Sequence, residues 1–227
     1  FMGLEPPLDL QFPSVSNSVL FGYNKFRNKP SFTIKDSLVT FYLRNNRKAD
    51  RVMLAGSFNN WDPSALSMTK TDSGWIAGVT LKPGKYWYKF IVDGKWITDP
   101  DNGYTENDYA GNTNSVYFFT NTVFSLAGYT QAKKVFVAGS FNGWQGNQLN
   151  MNKNANGWEL PAYLADGTHT YRFVVDGKWM TDQANPVQYP NEYHETNAVI
   201  TIGTPHLFML EGFSEAKTVI VTGSFNG

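Results

Sequence analysis

The chain has 227 residues with 19 Lys plus Arg against 19 Asp plus Glu, and a formal net charge of zero argues against a nucleic-acid or anionic-membrane partner. It contains no cysteine, which excludes disulfides and cysteine-rich zinc sites, and no apolar run reaches the ~18 residues of a membrane-spanning helix. Aromatic residues make up 16% of the chain against 17% charged, a balance that suits stacking on uncharged, ring-shaped ligands but that β-rich proteins also show.

Residues 1–39 carry Pro6, Pro7, Pro13 and Pro30 among Asn and Ser, which oppose both helix and central strand. They are expected to be an N-terminal extension or the end of a preceding domain. The short run Ser18 to Tyr23 is a candidate edge strand. Residues 1–10 lack the basic start and apolar stretch of a signal peptide.

From Leu38 the pattern turns to strands. Val39, Phe41 and Leu43 alternate, Val52 and Leu54 do the same before Gly56, and the Asn/Asp/Pro-rich stretch from Asn59 to Pro63 reads as a loop. Gly74 to Leu81 is a further strand, and Pro83-Gly84 turns the chain. Lys85 to Val92 and Lys95 to Thr98 are then joined by Asp93-Gly94, the dipeptide of a two-residue type I′ hairpin. Alternation along that hairpin puts Tyr86, Tyr88, Phe90 and Val92 on one face, read as core, and Trp87, Lys89 and Ile91 on the other, from which Lys89, and Arg172 in the second copy, are expected to project exposed. Trp75 and Trp158, each after a Gly at a strand start, are expected in the core.

The whole pattern then recurs. Ser57, Ser140 and Ser224 begin three copies of Ser-Phe-Asn, each preceded by Gly, at intervals of 83 and 84 residues. Without gaps, the same offset aligns Phe41 with Phe124, Tyr88 with Tyr171, Asp93 with Asp176, Trp96 with Trp179 and Asn114 with Asn197. A unit of 83 residues can bury its own core, so these are tandem domains, not solenoid repeats. Short strands, turn chemistry and no helical periodicity make the fold all-β, as tandem immunoglobulin-like antiparallel β-sandwiches. The expected divisions are 40–121 and 122–204, with 205–227 the start of a third, incomplete repeat. A sequence opening on Phe1 and stopping at Gly227 inside a recurring motif suits a piece of a longer natural protein.

The set GSFNxW, then Tyr-Lys/Arg-Phe-x-Val-Asp-Gly-Lys-Trp-x-x-Asp, then a late Asn, resembles the glycogen-binding domain of AMP-activated protein kinase β subunits. That is carbohydrate-binding module family 48, whose early-set sandwich also precedes the catalytic domain of isoamylases and branching enzymes. The resemblance covers about Phe41 to Phe118 and Phe124 to Thr201. It implies an α-1,4-glucan gripped by Trp61, Lys89, Trp96 and Asn114 in the first copy, and by Trp144, Arg172, Trp179 and Asn197 in the second. The chemistry is consistent: a pyranose offers an apolar C–H face to indole and hydroxyls to ammonium and amide groups. Arg172 in place of lysine, Gln183 in place of Pro100, and a different loop from Asn185 to Glu195 lead to the expectation that the first repeat binds better than the second.

No catalytic residues, metal ligands or cofactor are read from the sequence. Glycosidic hydrolysis takes two facing carboxylates; Asp93 and Asp176 belong to hairpin turns, while Asp62, Asp99 and Asp182 lie in loops without an evident acid partner. His169, His194 and His206 are scattered. The leading expectation is a non-catalytic tandem binder of starch- or glycogen-type α-glucan. The alternatives are a scaffold whose exposed aromatics pack on a protein partner, and an accessory region of an amylolytic enzyme. An extracytoplasmic bacterial location is expected, with cytoplasmic glycogen binding as the alternative.

Overall fold

A computed structural model describes residues 20–27, 29–108, 110–204 and 209–221. The readings given above for residues 1–19, for His206 and for the third Gly-Ser-Phe-Asn lie outside the described residues. Each repeat forms a sandwich of two antiparallel sheets. In the first, one sheet runs Phe32–Lys35, Leu38–Arg44, Gly74–Thr80, Thr69–Thr71. The facing sheet runs Val52–Gly56, Gly84–Val92, Thr113–Phe119, Thr105–Asn107, with Lys95–Ile97 folded back onto Gly84–Val92. The second sandwich repeats the plan with Thr122–Ala127 and Gly157–Leu164 in one sheet, and Val135–Gly139, Gly167–Val175 and Thr196–Ile202 in the other.

Alternation supplies the cores. Phe41, Leu43, Leu54, Tyr88 and Phe90 meet between the first pair of sheets, and Phe124, Leu149, Tyr171 and Phe173 between the second pair. Each such side chain contributes roughly 1.5–3 kcal/mol by leaving water. Trp75 and Trp158 are buried, each donating its indole N–H to a backbone carbonyl, of Asn46 and Tyr129 respectively, at 3.0 Å. The hairpin turns have positive φ at both positions, 47° and 84° at Asp93-Gly94 and 46° and 86° at Asp176-Gly177. Asp93 Oδ1 also accepts the backbone N–H groups of Asp50 and Arg51, which fastens the hairpin tip to the incoming strand.

One expectation needs correction, the exposure of the cation on the face opposite the aromatic stripe. The face opposite the aromatic stripe is not uniformly open: Ile91 is buried with Met53 and Ala55 beneath Trp61, and Arg172 and Val174 are buried in the second copy. Asp99 and Asp182 lie in loops as read from the sequence, but both are buried, where they accept the hydroxyls of Tyr88 and Tyr171 at 2.6 and 2.7 Å.

Residues N-terminal to the repeat tie the two sandwiches together. Phe21–Gly22 pairs with the second sandwich at Leu164 and Tyr163, while Phe32–Lys35 pairs with Leu38–Arg44 of the first. Between them, the Asn24 amide donates to the Phe118 carbonyl and accepts its N–H, both at 2.9 Å, as a strand neighbour would. A β-carbon at Gly22 would lie 2.0 Å from the Phe118 ring, so only glycine fits under it. In the opening of the third copy, residues 209–221 keep one local feature of the other two. Ala216 donates to Phe213, as Ala49 does to Asn46 and Ala132 to Tyr129, each over a positive-φ residue.

The glycine of the repeated motif is fixed by a close approach. A β-carbon on Gly56 would meet the Trp87 carbonyl at 2.4 Å, and one on Gly139 the Thr170 carbonyl at 2.2 Å. Backbone cannot yield as a side-chain tip can. Gly56→Ala is therefore expected to destabilise the first sandwich by about 1–3 kcal/mol, read as a lower urea midpoint; an unchanged midpoint would show that the strand end has room to move.

Candidate functional site

Each motif residue serves to present one tryptophan. After Gly56, Ser57–Asn59 forms a single 3-10 turn. Ser57 Oγ accepts the Trp87 N–H at 3.2 Å, Phe58 packs on Phe41, and Asn59 Oδ1 accepts the Gly56 N–H at 2.8 Å while its Nδ2 donates to Leu54 at 3.1 Å. The chain then passes through two left-handed residues, Asn60 and Trp61, with φ of 53° and 59°. The Trp61 N–H returns to the Gly56 carbonyl at 3.0 Å. A bulky residue held at positive φ is a strained conformation of the kind concentrated at binding sites. The second copy reproduces it with Gly143 and Trp144 at 60° and 59°.

In the first sandwich this places Trp61 beside Trp96, which projects from the strand after the Asp93-Gly94 turn. Their ring centroids are 6.3 Å apart, with planes inclined by 43°. Trp96 is 41% exposed, and Trp61 is half-buried because its inner edge rests on the Met53, Ala55 and Ile91 patch. Together with Lys89, Asp108, Asn112 and Asn114 they line a cleft of about 520 Å³. All four residues expected from the first copy thus come together. Asn114, though, is almost wholly buried, its Nδ2 turned toward Asp108 Oδ2 at 3.4 Å, and so forms floor, not rim. Hydrogen bonds from the Asn112 side chain and backbone lower the Asp108 pKa and keep its carboxylate charged.

The second cleft, about 530 Å³, gathers Trp144, Arg172, Trp179 and Asn197 in the same way, with Trp144 and Trp179 centroids 6.2 Å apart at 49°. Its cation departs from expectation. Arg172 is 8% exposed instead of solvated, because Glu195 on the closing loop pairs with its Nη1. Tyr193, 73% exposed, adds a third aromatic ring to the wall where the first copy has Ala110. A hydrogen bond to Glu192 and the charge of that carboxylate raise its phenol pKa. Asp108 and Asn112, and in the second cleft Asn191, Glu192, Tyr193 and Glu195, were missed in the sequence. The signal was available: the 83-residue offset pairs 108 with 191, 110 with 193 and 112 with 195. Among the described residues no group of three or more His, Asp or Glu side chains is placed to hold a metal ion.

Comparison with known proteins agrees with this duplication. The family described as the glycogen recognition site of AMP-activated protein kinase matches residues 39–125 and again 120–208. The 5'-AMP-activated protein kinase subunit beta-1 of Sus scrofa is 47% identical over 49 residues, which is 22% of this chain and 38% of the relative. Subunit beta-2 of Mus musculus is 40% identical over 58 residues, 26% of this chain and 21% of the relative. The matches thus span well under half the length of these relatives. A solved maltogenic amylase from S. marinus is similar at a TM-score of 0.35 and 14% identity, over 72% of this chain and 28% of the amylase, too low to bear on fold or activity. With the family matched across both sandwiches, the chain belongs to the glycogen recognition domains of AMP-activated protein kinase, a carbohydrate-binding module family, and carries two of them in tandem.

Proposed function

We propose that the chain binds α-glucan of the starch or glycogen type without acting on it, each cleft stacking its two tryptophans on neighbouring glucose rings. The observation that carries this reading is the Trp61 and Trp96 pair: two indoles 6.3 Å apart, inclined to one another and lining one open cleft with an ammonium and amides. Inclined platforms suit the curvature of an α-linked chain, and the neighbouring donors suit its hydroxyls. Trp96 and Trp179 each remain 41% exposed in the presence of the neighbouring sandwich, which favours ligand stacking over packing between domains. Open clefts of this kind bind weakly one at a time. Two on one chain raise the hold on a polymer through effective concentration.

Calorimetric titration with maltoheptaose and β-cyclodextrin tests the proposal. Binding in the micromolar to millimolar range, with a stoichiometry approaching two sugars per chain, is expected. No heat at several millimolar sugar from folded protein overturns it.

A further inference from the structure

The loops closing the two clefts have exchanged the positions of their carboxylates. The repeat offset aligns Asp108 with Asn191, Asn112 with Glu195 and Lys89 with Arg172. In the first cleft the acid is engaged by its own loop: Asp108 Oδ1 accepts the N–H groups of Ala110 and Asn112, and Oδ2 accepts the Asn112 and Asn114 amides. Lys89 forms no ion pair among the described residues, so its ammonium is the uncommitted charge of that cleft.

In the second cleft the neutral Asn191 takes over loop closure, its Oδ1 accepting the N–H groups of Tyr193 and Glu195 at 3.0 Å. The carboxylate, now at 195, reaches Arg172 instead. Arg172 is thereby held beneath the cleft, with Nε buried and unpartnered. Glu195 stays about half exposed on the wall beside Glu192. One cation faces one acid in the first cleft, whereas one already-paired cation faces two acids in the second.

We infer that Glu195 is the specificity-determining residue of the second cleft: by holding Arg172 it restricts that cleft to uncharged glucan, while the first, with Lys89 free, also accepts glucan bearing phosphate monoesters. The inference rests on the proposal that both clefts bind glucan. A phosphate approaching Lys89 gains charge-assisted hydrogen bonds. One approaching the second cleft meets like charges whose counter-ion is already engaged. Glu195 acts on Arg172 as a positioning residue and on the ligand as a wall of charge.

The experiment uses two single-cleft chains, Trp61→Ala with Trp96→Ala to leave the second cleft and Trp144→Ala with Trp179→Ala to leave the first. Each is titrated with maltoheptaose and with maltoheptaose carrying one phosphate monoester. The second cleft is expected to bind the neutral sugar at least about tenfold more tightly than the phosphorylated one, about 1.4 kcal/mol, and the first to bind the phosphorylated sugar at least as well. Glu195→Gln keeps the loop's size and is expected to abolish most of that discrimination. Asn112→Glu is expected to introduce it into the first cleft. Neutral sugar bound with equal ratios at the two clefts, or a ratio unmoved by Glu195→Gln, overturns the assignment to Glu195 alone. Neutral sugar bound at neither cleft overturns the glucan proposal itself and this inference with it.

Discussion

Replacing Trp61 and Trp96 together by alanine is expected to abolish glucan binding at the first cleft, and Trp96→Ala alone to weaken it about thirtyfold. Buried-on-binding tryptophans dominate recognition energetics, and truncating one typically costs about 2 kcal/mol or more. Trp96 is the cleaner probe. It stands 41% exposed on a short hairpin strand, so its removal takes away ligand contact and its ring contact with Trp61. Trp61→Ala also uncovers Met53, Ala55 and Ile91, and is expected to cost stability as well as affinity. The measurement is titration with β-cyclodextrin in a chain whose second cleft is already disabled by Trp144→Ala and Trp179→Ala. Folding is checked by the cooperative urea transition. Affinity unchanged in the double variant would sink the assignment of this cleft and turn attention to the protein-partner alternative for the same aromatic face.

Much of the architecture was legible because it is written in short-range chemistry. The alternation of Val39, Phe41 and Leu43, the Asp-Gly turns and the glycines before Trp75 and Trp158 each specify local geometry without help from distant residues. The family resemblance then supplied the candidate site residues of the first copy, and repetition at a fixed offset carried them onto the second. What escaped was set by partners far apart in sequence. Arg172 reads as a surface cation from strand alternation, and its burial depends on Glu195, 23 residues away, which in turn depends on Asn191 having replaced Asp108 as the loop's acceptor. Phe21–Gly22 has too few residues to show a period, and its place is fixed by the Phe118 ring against Gly22 and by Asn24 on the Phe118 backbone. Asp99 and Asp182 do lie in loops, but their burial was not legible, because alternation carries no information about the tyrosine hydroxyl waiting across the hairpin.

Asp99→Ala is expected to lower the stability of the first sandwich by about 3 kcal/mol, a large fraction of the ~5–15 kcal/mol that holds a domain folded. The carboxylate accepts the Tyr88 hydroxyl at 2.6 Å and the Asp101 N–H at 2.9 Å, while Asn102 donates to the Tyr88 oxygen at 3.0 Å and to the Val116 carbonyl at 2.7 Å. Alanine removes both acceptors at once and strands the hydroxyl of a fully buried tyrosine. The network also joins the strand carrying Trp96 to the strand carrying Asn114, so weaker glucan binding is expected to accompany the loss. Its pH dependence carries a distinct sign. Burial raises the folded-state pKa of Asp99 above its ordinary value, against the opposing hydrogen bonds from the Tyr88 hydroxyl and the Asp101 backbone N–H. The unfolded chain therefore releases this proton first as pH rises, and the wild-type protein loses stability from about pH 4 up through the raised value. Tyr88, its own pKa pushed well above 10 by burial, remains a donor throughout. The variant lacks this titration. The gap between wild type and Asp99→Ala, measured by urea unfolding at several pH values from 4 to 7, should be widest at the acid end and narrow to a constant at neutral pH. A gap that widens with pH would mean that the folded state lowers the Asp99 pKa, and that hydrogen bonding, not burial, dominates at this acid.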